Sequence, residues 1–123
     1  TDAIVGFHAA MIETKTMGFA AAKAAQWALG QAVRALLAAK GVPSVAAEGF
    51  QAPGGVVSFT ADADIQNGSK FKALGYQIAA GVPLQVGEGA EFRTFRLGLF
   101  GLDKLVDVPA TVARLKVALD QVV

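Results

Sequence analysis

Residues 18–40 (GFAAAKAAQWALGQAVRALLAAK) constrain the fold more than any other segment. They are dense in Ala, the best helix former, and contain no Pro. Ala22, Leu29, Val33, Leu36 and Leu37 fall on one stripe at helical spacing, and Lys23, Arg34 and Lys40 lie away from it. Gly41 and then Pro43 stop the helix in the order that helix C-termini favour. In a chain of 123 residues, a helix of this length supplies a large share of the core. The remaining elements must cover its stripe.

Enough apolar surface exists to do so. Hydrophobic residues make up 54% of the chain and charged residues 17%, which excludes disorder and implies one compact domain. The longest apolar runs, Phe19–Ala25 and Ala35–Ala39, are short and interrupted or flanked by Lys23, Arg34 and Lys40. A membrane span needs about 20 apolar residues, so none is expected. The N-terminus lacks a basic start followed by an apolar block and a small-residue cleavage site, so no export signal is expected either. Eleven basic and ten acidic side chains give a net charge of +1, with the signs interspersed. Nucleic acid needs a concentrated basic face, so it is not an expected partner. Cys is absent, which removes disulfides, thiolate zinc sites and cysteine nucleophiles and suits the cytoplasm. His8 is the only histidine, so no multi-histidine metal site can form within one chain.

The other elements follow from periodicity and punctuation. Residues 1–17 are a lead-in, with helical spacing over about 7–15, and Thr16 is placed to cap the helix that follows. Residues 18–123 are read as one domain. Ser44–Glu48 is β-permissive, Phe50–Gly55 is a Pro-Gly-Gly turn, and Val56–Thr60 (VVSFT) is the best strand. Asp62–Gly68 reads as a loop or the opening of a helix. Phe71, Leu74 and Ile78 predict a helix over Ser69–Ile78, weakened at Gly75 and ended at Gly81. Val82–Val86 is a short strand or extended loop, and Gly87–Gly89 a turn. Phe92–Phe100 alternates: Arg93, Phe95, Leu97 and Leu99 share the core face, and Phe92, Thr94, Arg96, Gly98 and Phe100 share the other. The last helix starts near Asp107 and buries Val108, Val112, Leu115, Leu119 and Val122, with Pro109 tolerated in its first turn. The whole predicts an α+β fold: a small, mostly antiparallel sheet with helices packed on one face.

Arg96 is the leading site candidate. A guanidinium inside an apolar strand costs desolvation unless it meets an anion, and its planar fork matches a carboxylate. Gly98, two residues on and on the same face, leaves room for a small ligand. The competing reading is a structural Arg paired with an Asp or Glu on a nearby loop. Arg93 falls on the opposite face as a solvated strand end. Asp103, Lys104 and Asp107 read as helix-start and surface charges, and His8 has no partner in sight. Trp27 and Tyr76 are read as packing residues within helices. The glycines form no phosphate motif. Asp62, Asp64, Glu88 and Glu91 lack the ligand spacing of a calcium loop.

The segment Phe92–Gly101 (FRTFRLGLFG), followed by LDKLVDVPATVARLKVALDQVV, resembles the end of class V aminotransferases, which are fold-type I pyridoxal-phosphate enzymes. The alanine–glyoxylate, serine–glyoxylate and serine–pyruvate group is the most similar. Their last motif is an Arg, an aliphatic residue and a Gly on a strand, then an apolar turn and a terminal helix; here that is Arg96-Leu97-Gly98. The upstream order is also similar, from the long helix through the Pro-Gly-Gly turn to the loop in GYQIAAGVPLQVGEG. The resemblance implies that Arg96 grips the α-carboxylate of a small amino or keto acid, with Gly98 beside it. It implies no catalytic residue in this chain, since the lysine that binds pyridoxal phosphate, its pyridine-nitrogen carboxylate and the phosphate cup belong to a large domain that this chain lacks. The absence of Cys favours aminotransfer over desulfuration. A start at Thr1 without Met accords with a C-terminal small domain, inactive alone, whose partners are that large domain and a second subunit. Two rival expectations stand beside this one: a free-standing domain that binds a small carboxylate, and an oligomerisation domain. All three carry an apolar excess (mean hydropathy +0.47) that something should cover, so self-association is expected.

Overall fold

The computed structural model describes residues 1–123. Two long helices open the chain: α1 (Asp2–Met17) and α2 (Phe19–Ala39). Then come strand β1 (Gly55–Phe59), two short helices α3 (Ala63–Gln66) and α4 (Ser69–Ala73), and the two-residue strand β2 (Ala79–Ala80). Strand β3 (Thr94–Gly98), the short helix α5 (Leu102–Leu105) and the terminal helix α6 (Val108–Val122) complete the chain. The fold is α+β. Its sheet is antiparallel in the order β1-β3-β2, so β3 is central.

The register sorts the side chains. Val56 faces Leu97 and Ser58 faces Phe95, and all four are buried. Val56, Leu97 and Phe95 meet Leu29, Val33 and Leu37 of α2, Phe71 of α4, and Leu119 and Val122 of α6 in one cluster. The helices thus cover one sheet face. The terminal helix is held by the Asp107 carboxylate, which accepts from the Ala110 amide at 3.0 Å. Asp120 joins α6 to the end of α2 by accepting from Lys40 and Lys116, each at 2.6 Å.

Gly30 is required by packing. A Cβ there would sit 2.7 Å from the Pro53 carbonyl oxygen, so α2 and the Pro-Gly-Gly turn approach each other only because position 30 is bare. Gln26 reinforces this contact, donating to the Pro53 and Leu99 carbonyls at 3.0 and 3.2 Å.

Several boundaries differ from the sequence reading. The first helix runs over Asp2–Met17 rather than about 7–15, and no residue of it is buried. Thr16 lies inside it, with its hydroxyl donating to the Ile12 carbonyl, and does not cap α2. The helix predicted over Ser69–Ile78 stops at Ala73. Gly75 takes φ 81°, and the amides of Gly75 and Tyr76 close the end on the Lys72 and Phe71 carbonyls. Tyr76 is therefore in a turn, its hydroxyl donating to the Arg114 carbonyl at 3.1 Å. Of the two readings of Val82–Val86, the loop holds, and the short strand lies just before it, at Ala79–Ala80. Ser44–Glu48 contributes one bridge, Ser44 to Ser58.

Candidate functional site

The face of the sheet away from the helices is open around Arg96 and Gly98, while Thr94 at its other end is buried. Gly55, Val57 and Phe59 of β1 lie opposite Gly98, Arg96 and Thr94 of β3, and Ala79 of β2 flanks Arg96 from the other side. Arg96 therefore projects from the middle of the central strand, as the alternation of Phe92–Phe100 requires. It is exposed, so the desolvation cost expected from its apolar strand does not arise in the chain alone, and its Nε donates to the Ala80 carbonyl at 2.9 Å. That bond fixes one edge of the guanidinium. The two terminal nitrogens take no protein acceptor, and no Asp or Glu forms an ion pair with Arg96. The structural pairing considered from sequence is thus absent, and the end-on fork is free for two parallel bonds to a carboxylate.

Aromatic rings bracket the arginine. Phe59 and Phe92 pack edge to face, 5.6 Å between centroids and 87° between planes, at the Thr94 end of the open face. Phe100 is 69% exposed at the other end. Gly98 sits beside it, and a Cβ there would meet the Phe100 ring at 3.8 Å, an ordinary contact. The neighbours do not force glycine at 98; they leave the space beside Arg96 unfilled. The larger recesses of the surface do not include Arg96, although Gly98 borders one of about 230 Å³ against α6. The open face is a platform with a cation in it.

The other candidates have structural duties. Arg93 donates to the Ala61 carbonyl at 2.6 Å, and Lys104 to the Phe100 carbonyl at 2.7 Å. Asp62 caps α3, accepting from the amides of Asp64 and Ile65. The Lys70 ammonium and then those amides hold its carboxyl below the usual carboxylate range. Glu88 folds back on its own loop and accepts from the amides of Leu84, Gln85 and Val86. These backbone bonds bring its pKa down to about 2. No three acidic or histidine side chains converge. His8 stands exposed on α1.

Arg34 lies off the apolar stripe of α2, as its spacing predicts, but what it holds is not visible in the sequence. It is partly buried and donates to Ser44 Oγ at 3.0 Å and to the Ala52 and Gly55 carbonyls at 2.8 and 2.9 Å. Its partners are mostly backbone carbonyls of a turn, which leave no residue-type signal.

The chain's seven lysines (15, 23, 40, 70, 72, 104 and 116) lie on helices or at the end of one, and none lies on or directly after a strand. No helix is long and apolar enough to cross a membrane. Neither a family model nor a curated protein sequence matches the chain.

Proposed function

We propose that this chain is the C-terminal small domain of a class V pyridoxal-phosphate aminotransferase that moves an amino group between a small amino acid and glyoxylate or pyruvate. The observation that carries this reading is Arg96, a cation without a counter-ion on an open sheet face, with its terminal fork free. In that role Arg96 binds the substrate carboxylate and orients the molecule, a positioning function that leaves proton transfer to other groups. The cofactor, when bound, supplies the electron sink for aminotransfer and is held by the large domain. The platform shape of the site supports the same reading, because a second surface must pack on it to close a pocket around the carboxylate. The cytoplasm is the proposed compartment, and a homo-oligomer the proposed assembly.

The test is Arg96→Ala in the protein joined to its lysine-bearing domain. Loss of a desolvated charge pair costs about 2–5 kcal/mol, so kcat/KM for the small amino acid falls about thirtyfold or more. A value within a few-fold of the parent overturns the assignment.

A second reading is favoured by α1. Ile4, Val5, Phe7, Met11 and Ile12 on this helix are all at least half exposed. A free-standing carboxylate-binding or oligomerisation domain would use such a helix as its contact surface. A small carboxylate that raises the Tm of the chain alone separates ligand binding from simple association, since a ligand bound only to the native state stabilises it.

A further inference from the structure

A recess of about 500 Å³ lies between the C-terminal half of α2, the corner Gly41–Ser44 and β1. It is on the helix-covered side of the sheet, where Ser58 points, and so lies across β1 from the face that carries Arg96. Its size is that of a small-molecule pocket, and Leu37, Val42 and Val56 give it apolar walls.

Two polar features in it are unresolved within the protein. Ser58 lines the recess and is 1% exposed, and its Oγ has no hydrogen-bond partner. An orphaned buried hydroxyl is costly, and buried polar atoms are nearly always paired. Arg34 also lines the recess, and every group it touches is neutral: one hydroxyl and two carbonyls. No acidic side chain pairs with it. Three bonds leave two of the guanidinium's five N–H groups free. Burial lowers its pKa from the ordinary arginine value, as desolvation of an uncompensated cation does. Near the end of α2, the carbonyls of Leu37 and Ala38 accept from the amides of Lys40, Gly41 and Val42.

We propose that this recess binds a short-chain aliphatic monocarboxylate, with the carboxylate at Arg34, Ser44 and Ser58 and the alkyl chain against Leu37, Val42 and Val56. The site is separate from Arg96 and does not depend on the aminotransferase reading. An anion balances the partly buried charge of Arg34, an acceptor oxygen satisfies Ser58, and the apolar walls take the tail.

Butyrate is the probe, with butyramide as its uncharged counterpart, in an amide-resolved NMR titration of the purified protein. Saturable shifts are expected at Val42, Ser44, Val56 and Ser58. Butyramide binds about tenfold more weakly or less, because bonds to a charged acceptor are the stronger ones. Ser58→Ala weakens butyrate about threefold to tenfold, the worth of one hydrogen bond, and leaves Tm equal or higher because the orphan is gone. Arg34→Gln abolishes binding if the turn stays folded; the serine variant keeps the test decisive if it does not. Absence of saturable shifts at these amides, equal binding of butyramide, or shifts confined to the Arg96 face overturns the proposal. So does a Ser58→Ala variant that loses Tm and binds butyrate unchanged, which marks the hydroxyl as a partner of buried water.

Discussion

Phe95 and Arg96 are neighbours on one strand and meet opposite surroundings. Phe95 is 1% exposed, stacks at a tilt on Phe71 with 5.9 Å between centroids, and lies within the cluster that joins α2, α4 and α6 to the sheet. Arg96 lies on the uncovered face with one carbonyl as its only partner. The pleat turns a step of one residue into a change of face, so one strand serves two purposes. The covered face holds the fold. The open face leaves apolar surface uncovered, in Phe59 and Phe100.

Substitutions can break that division or sharpen it. Phe95→Ala has the largest expected effect, about 3–5 kcal/mol of stability by chemical denaturation, because it empties a well-packed core position. Arg96→Ala in the same assay leaves the midpoint nearly unchanged, since the exposed side chain gives up a single bond, to the Ala80 carbonyl of β2. Equal losses for the two would end the distinction between the faces. Gly30→Ala comes next. Its methyl must displace the Pro53 backbone, and overpacking of this kind costs about 1–3 kcal/mol. Asp107→Ala removes the cap of α6 and costs about 1 kcal/mol, read by the same denaturation.

On the open side, Phe100→Ser is expected to reduce concentration-dependent association in sedimentation while leaving the denaturation midpoint nearly unchanged. An unaltered association would move the contact surface to α1. The smallest effect is local and pH-dependent. Glu88 has its pKa lowered from 4.5 to about 2 by the amides it holds, so its bonds stabilise the loop above pH 4.5 and are lost as pH falls through about 2. The amide resonances of Leu84, Gln85 and Val86 should titrate together with a midpoint near 2, and a midpoint near 4.5 would show that the carboxylate does not hold them.

The sequence made the covered face far more legible than the open one. The stripe through Leu29, Val33 and Leu37, the alternation through Phe95, Leu97 and Leu99, and the terminal stripe ending in Leu119 and Val122 are all periodic, and burial follows them. Where periodicity met punctuation, punctuation won: Phe71, Leu74 and Ile78 have helical spacing, yet Gly75 turns the chain between them. The first helix was read too short because Ile4, Val5, Phe7, Met11 and Ile12 cover a broad arc and bury nothing. Arg96 was legible as the one charge well inside an apolar strand. Arg34 was not, because its place depends on where the Ala52 and Gly55 carbonyls arrive, and backbone carbonyls carry no residue identity. Ser58 likewise looked like one more polar residue in VVSFT until the register put it on the core face.

The central claim is that Arg96 on the open face receives a carboxylate. The direct measurement is kcat/KM of Arg96→Ala against the parent, in the proposed enzyme with a lysine-bearing domain, with alanine and glyoxylate, alongside Tm. The account predicts a loss of about thirtyfold or more at unchanged Tm, the signature of a lost substrate contact in an intact fold. A rate within a few-fold of the parent, or a loss that follows a fall in Tm, would contradict it.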